Sequence, residues 1–223
     1  DNMDKVNVDA DGEAEVPNEI VIGKTQDLFG DKVYEVITKD VEESVAAVGT
    51  SGDFADVDAQ IKTLTNAFAD KLKQDIVAPL ADSYDMTKGA QGRMERQVEQ
   101  EVKAKFDKLQ GDFQQQSRIA KAELARKQRE AESEEALQQA EQEYRSTMDD
   151  ALKALNDTVR AAVQQTIENK PQELVEQLEK KKAEQEKHSV EDEVRAHLRG
   201  FARTIPSFIM AYGDENLRLS NFD

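Results

Sequence analysis

The sequence predicts a mainly all-α fold, an elongated helical bundle containing a long helix or a helical hairpin, after a short irregular or β-like N-terminal segment. Two observations support this. Residues 93–170 contain no proline and a single glycine, Gly111, and are rich in Ala, Gln, Glu, Lys, Arg and Leu, which lose least on entering a helix. Apolar residues also recur at spacings of three and four along most of the chain, which is the period of an amphipathic helix.

Composition limits the size of the core and the kinds of site. Of the 223 residues, 35% are charged and only 5% aromatic, so we expect thin helical layers with much solvated surface. The chain has no cysteine, which excludes disulfides and thiolate metal sites, and it has only two histidines. No apolar run is long enough to cross a bilayer. We therefore expect a cytoplasmic protein with no membrane partner.

Charge is distributed unevenly along the chain. Residues 1–58 hold sixteen acidic and four basic residues, whereas residues 93–129 hold ten basic and six acidic residues. The basic stretch is either a working surface or a solvated helix with many ion pairs, and the sequence leaves both interpretations open.

The N-terminal part divides into two predicted segments. Residues 1–22 form an acidic extended segment, with a short strand or frayed tail followed by a strand that ends in a turn at Gly23. Residues 23–80 form a pair of antiparallel helices, the second ending near Pro79. The predicted buried residues of the pair are Val33, Ile37, Val41, Val45 and Val48 in the first helix and Val57, Ile61, Leu64, Phe68, Leu72 and Ile76 in the second.

A linker is predicted at 81–92, because Gly89 and Gly92 lie there. Residues 93–170 then form one long helix or a coiled-coil hairpin. Two apolar rows, which we call the seams, lie at its ends, and a hairpin with a turn near 131–135 would bring them together, although no Gly or Pro marks a turn. The seams are Val98, Val102, Phe106, Leu109 and Phe113, and Leu152, Leu155, Val159, Val163 and Ile167.

The C-terminal part begins at Pro171, which suits the first turn of a new helix. Helices are predicted over 171–213, with a kink or restart at Pro206, and residues 214–223 begin a further segment.

Three arginines in this part are the candidate site. Arg195, Arg199 and Arg203 are spaced by four, so a helix presents them on one face, where they would contact phosphates or acidic groups of a partner. Alternatively, they lie over an apolar core and pair with Glu191 or Glu193. No nucleophile with a neighbouring histidine and no pair of carboxylates or histidines at catalytic or metal spacing is evident, so we expect no catalytic, cofactor-binding or metal-binding residue.

A resemblance to a known family lies in the same region. It is carried by His197–Asp214, which reads HLRGFARTIPSFIMAYGD, and by Leu217, Leu219 and Ser220–Asp223. This run resembles the region that follows the helicase-like motor in the restriction (R) subunits of type I restriction enzymes and related DEAD/DEAH-box restriction proteins. Asp27–Tyr34 is compatible with the same family and less diagnostic. The chain would then be a piece of a larger protein.

The resemblance implies that the parent is an ATP- and Mg-dependent DNA translocase and endonuclease, a type I site-specific deoxyribonuclease of a restriction system. None of the family's motor or nuclease motifs has a counterpart here, so no catalytic residue is carried over. The role left for this region is helical coupling to the methyltransferase (modification) and specificity subunits, with possible contact to double-stranded DNA. The alternative is a self-standing coiled-coil adaptor or stalk that self-associates through 93–170.

Overall fold

The structure is a computed structural model that describes the backbone of residues 7–8, 14–50 and 54–212 and the side chains of 15–50 and 56–200. It confirms the all-α prediction. The predicted segment 214–223 and the predicted helix end at Gly213 lie outside the described residues. The elements are β1 (Asn7–Val8), β2 (Ala14–Glu15), α1 (Asn18–Leu28), α2 (Asp31–Ala47), α3 (Phe54–Leu72), a π-helical turn (Lys73–Val77), α4 (Ala78–Ser83), α5 (Lys88–Glu130) and α6 (Glu134–Tyr212).

The chain divides into two compact units, one formed by residues 1–22 and 176–223 and the other by residues 23–175. In the first unit, β1 and β2 pair antiparallel, with Asn7 opposite Glu15. The start of α1 lies against α6 in the same unit, where Val16, Pro17 and Ile20 line a small crevice with Ala183. The β-like N-terminal segment of the prediction is therefore a two-stranded ladder followed by a helix.

The predicted antiparallel pair in the second unit is α2 with α3. Lys71 Nζ of α3 lies 2.7 Å from Asp40 Oδ2 of α2, and the backbone N–H of Gly49, just after α2, donates to Gln60 Oε1 at 3.0 Å. The predicted buried positions of both helices are confirmed except Val33, which is half-buried. Apolar period alone was sufficient to find this pair.

A hairpin, not one long helix, occupies the stretch 93–170. The turn lies at 131–133, and the Ser133 hydroxyl accepts the backbone N–H of Ala136 at 3.1 Å, which caps the start of α6. Lys127 pairs with Glu143, Lys105 Nζ lies 3.1 Å from Thr166 Oγ1, and Lys170 pairs with Glu101. The residue numbers of each pair add up to 270 or 271, so α5 and α6 run antiparallel in constant register and the two seams meet.

The hairpin closes a four-helix arrangement with α2 and α3. Phe68 of α3 packs edge-on against Phe106 of α5, with ring centroids 6.2 Å apart. On the other side, the Asn156 side chain of α6 donates to the backbone carbonyls of Val45 and Val48 at 2.9 Å each, at the end of α2. The second seam is buried here, so Leu152, Leu155 and Val159 are core residues of the second unit.

The prediction of extended structure up to residue 22 is wrong for 18–22, which belong to α1. The β-branched run Ile20-Val21-Ile22 favours a strand by intrinsic propensity. Burial decides otherwise, because Val21 is only 1% exposed, and the Pro17 carbonyl accepts the backbone N–H groups of Ile20 and Val21. The run therefore starts a helix.

The predicted linker 81–92 is also wrong, since only residues 84–87 connect α4 to α5. Asp85, at φ +48°, ends α4 in a left-handed conformation, and Met86 N–H donates back to the Ala81 carbonyl, as in a Schellman motif. The Thr87 hydroxyl then accepts Ala90 N–H at 3.1 Å and starts α5. A good cap thus places both glycines, Gly89 and Gly92, inside the helix.

The prolines interrupt the helices less than predicted. Helical structure continues from α3 through the π-helical turn into α4, which holds Pro79 in its first turn and ends only at Ser83. The boundary predicted at Pro171 is wrong because α6 runs through it. Pro171 is buried in line with Ile167 and Leu174, and this burial offsets the missing backbone donor. The helix likewise runs past Pro206 to Tyr212, where side chains lie outside the described ones.

Candidate partner-binding helix

The candidate site lies on α6 within the first unit. Every residue from 187 to 200 is exposed, whereas Ala183, just before, is buried. This segment therefore keeps its helical backbone without burying a face against the described part of its own chain.

An apolar row runs along this exposed helix. Val190, Val194 and Leu198 are spaced by four and are 41%, 53% and 63% exposed. We call these three residues the exposed stripe. Side chains at this spacing normally cover a core, so their exposure marks an unpartnered face of the helix.

The candidate arginines lie beside the exposed stripe. Arg195 and Arg199 each follow a stripe residue by one position, so their row is rotated by about 100° around the helix. Both are exposed, and the described side chains include no ion pair between either of them and Glu191 or Glu193. Glu191 instead lies near His188. The third candidate, Arg203, continues the row on the backbone of α6, but its side chain lies outside the described ones.

The alternative for the arginines is that they cover an apolar core and pair with Glu191 or Glu193. Neither role is seen for the side chains of Arg195 and Arg199. Covering an apolar core is excluded by the exposure of the surrounding helix, and among the described side chains no ion pair joins Arg195 or Arg199 to either glutamate. Arg195 and Arg199 are therefore available to a partner, together with the exposed stripe.

A second surface was not predicted from the sequence and lies near the turn of the α5–α6 hairpin. It is an apolar groove of about 330 Å³ between the two helices, which we call the tip groove. Ile119 on its edge is 63% exposed. The groove is lined by Gln116, Ile119, Ala120, Glu123, Leu124, Lys127, Ala140, Glu143, Tyr144, Thr147, Met148 and Ala151. The signal in the sequence was the thinning of large apolar residues between 114 and 147, because small side chains leave space between packed helices.

Ion pairs occupy much of the basic stretch of α5 near the tip groove. Arg126 bonds to both Glu123 and Glu130, and its hydrogen bond holds the pKa of Glu123 below its ordinary value. The hydrogen bond from Lys127 does the same for the pKa of Glu143 across the hairpin. For this part of the basic stretch, the structure favours the interpretation as a helix with ion pairs over a free cationic surface.

The described residues contain no group of three or more His, Asp or Glu side chains placed to hold a metal ion. His188 is an exposed residue with Glu191 as its neighbour, and His197 is exposed as well. Across the same residues, no helix is both long enough and apolar enough to cross a membrane.

Comparison with protein-family models, with curated proteins and with solved structures finds no match to this chain.

Proposed function

We propose that this chain is a non-catalytic helical coupling and partner-binding region of the R subunit of a type I restriction enzyme, acting in the cytoplasm. Its partners are the methyltransferase and specificity subunits, with double-stranded DNA as a further ligand. The parent enzyme supplies ATP- and Mg-dependent translocation and DNA cleavage from other parts of its chain. The resemblance of His197–Asp214 and the segment after it to that family supports the proposal.

The observation that carries it is the exposed helix 187–200. A helix that presents apolar residues at i, i+4 and i+8 to solvent is built to lie in an apolar groove of another protein. Val190, Val194 and Leu198 supply that row, and Arg195 and Arg199 supply directional donors beside it. Guanidinium groups bind carboxylates and phosphates in a bidentate way, which gives the contact a fixed orientation.

Partner binding is tested by placing a charge on the exposed stripe. Val194→Glu combined with Leu198→Glu should abolish co-elution with the modification and specificity subunits, because two carboxylates would have to be buried unpaired. The matched control is Val36→Glu on α2, which is 44% exposed and belongs to the other unit. If the double variant assembles as well as the control, the stripe is not the docking surface.

DNA contact is tested by replacing Arg195, Arg199 and Arg203 with Gln and measuring duplex affinity over a range of salt concentrations. Each lost phosphate contact should reduce the slope of log K against log salt by about 0.9, so the triple variant should lose up to about 3. The control removes two charges elsewhere, Lys62→Gln with Lys153→Gln, both exposed. Duplex binding that is independent of salt, or unchanged in the triple variant, contradicts the DNA part of the proposal.

A further inference from the structure

The tip groove lies in the second unit, and the proposed function does not use it. Its lining is mostly apolar, and the isoleucine on its edge, Ile119, is one of the most exposed large apolar residues among those described. We propose that the tip groove is a self-association surface through which two copies of this chain form a weak symmetric dimer, with their two hairpin turns at the same end.

The constant register of the hairpin makes the groove complementary to itself. Residues of α5 and α6 whose numbers add up to about 270 lie level, as the pair Lys127 and Glu143 shows. Ile119 is therefore level with Ala151 and close to Thr147. A two-fold axis parallel to the hairpin places α5 of one copy opposite α6 of the other at the same level. Each Ile119 then faces the small side chain of Ala151 in the second copy, as a knob faces a hole.

Charge selects this orientation over the alternative. Apart from Glu123, Arg126, Lys127 and Glu143, whose ion pairs lie within the hairpin, the part of α5 from 118 to 129 holds three basic residues, and the part of α6 from 134 to 150 holds five acidic residues and one basic residue. An axis parallel to the hairpin sets the basic helix against the acidic helix of the second copy, and neighbouring helices are antiparallel throughout. An axis across the hairpin would set α5 against α5 and α6 against α6, which opposes like charges.

The size of the groove limits the affinity. The lining spans about twelve residues of each helix, or about 17 Å by the width of two helices, about 20 Å. Two such faces bury about 700 Å² in total, below the 1,200–2,000 Å² or so of standard stable interfaces. The proposed dimer is therefore a weak contact that forms only at high protein concentration.

The test is sedimentation equilibrium of the full chain from about 5 µM to about 500 µM, a range that brackets a weak interface. The expected result is a mass that rises from monomer towards dimer. Ile119→Glu should keep the chain monomeric throughout, with its helical circular dichroism unchanged because this side chain is exposed. Val190→Glu, at an exposed apolar residue in the other unit, should dimerise like the wild type.

The orientation is tested by cross-linking, since the chain contains no cysteine and gives no background. Glu132→Cys places a single thiol at the exposed hairpin turn. In the proposed dimer two such thiols lie side by side, and a bis-maleimide linker should give a covalent dimer that Ile119→Glu suppresses. Lys62→Cys is the control and should stay monomeric.

Three outcomes would overturn the proposal. One is a wild-type chain that stays monomeric over the whole concentration range. Another is a dimer that survives Ile119→Glu or is lost with Val190→Glu, because the contact would then lie elsewhere. The third is a concentration-dependent dimer in which Glu132→Cys fails to cross-link, because the two hairpin turns would then lie at opposite ends.

Discussion

Replacing Gly49 by alanine adds one methyl group, and this small change should have a large effect on stability. Gly49 follows α2 with φ +81°, in the left-handed region that side chains other than glycine rarely adopt. A Cβ atom added there would lie 2.9 Å from the backbone carbonyl oxygen of Leu152 on α6. Both effects act together in Gly49→Ala, because neither the turn nor the backbone of α6 can move away independently.

The expected cost follows from three contributions. The left-handed conformation costs an alanine about 1–2 kcal/mol, and forcing two packed backbones apart costs about 1–3 kcal/mol. The lower entropy of unfolded alanine returns about 0.5–1 kcal/mol. Gly49→Ala should therefore lower the free energy of unfolding by about 1–4.5 kcal/mol.

Urea unfolding followed by far-ultraviolet circular dichroism measures this change. Gly111→Ala is the matched control, because Gly111 lies exposed within α5 and a Cβ there meets nothing within 4 Å. It should raise stability by about 0.5–1 kcal/mol. Gly49→Asn separates the two causes, since asparagine tolerates the left-handed region and keeps only the steric part. If Gly49→Ala proves as stable as the control, α2 does not meet α6 as described.

Three further substitutions test other contacts by the same unfolding assay. Asp85→Gly should stabilise the chain by about 0.5–1 kcal/mol, because glycine adopts the left-handed conformation after α4 without strain; a loss of stability would contradict that geometry. Asn156→Ala should cost about 1–3 kcal/mol, because it removes the hydrogen bonds to the carbonyls of Val45 and Val48, of which only Val45 also accepts the Val48 N–H; an effect as small as that of exposed Asn66→Ala would count against this. Burial lowers the pKa of Lys170, but its hydrogen bonds to Glu101 and Glu173 outweigh that and raise the pKa overall. Its contribution to stability is therefore complete below the unfolded lysine pKa of about 10.4 and is lost as pH rises through the folded value. Wild type should lose more stability than Lys170→Met above about pH 10.4. Equal losses would show that the Lys170 ammonium is not hydrogen-bonded to Glu101 and Glu173.

The helices of the second unit could be predicted because their apolar residues recur with the helical period, and each of these apolar rows is buried against another helix. The errors arose where local preference and tertiary context disagree. Propensity favours a strand at Ile20–Ile22 and an end at Pro171, and burial of Val21 and Pro171 overrides both. The short connection after α4 depends on hydrogen bonds of Met86 and Thr87, which no sequence period reveals.

The candidate site was predictable only in part. The spacing of the arginines placed them correctly on one helix, but the exposure of Val190, Val194 and Leu198 could not be predicted. Their period is the same as that of Val159 and Val163, which are buried. Periodicity identifies a face that needs covering, and it does not say whether the same chain covers it. The tip groove was missed because it is formed by small side chains rather than by a recognisable motif.

The contacts that close the four-helix arrangement also bear on how the chain folds during synthesis. Asn156 reaches the end of α2 across 111 positions, and Arg160 reaches Glu42 across 118. At ribosomal rates of about 5–20 residues per second, these partners are synthesised about 5–20 s after α2. During that interval α2 and α3 can pack on each other and α3 can pack on α5, but the apolar side that α6 later covers is open to chaperones and to other nascent chains.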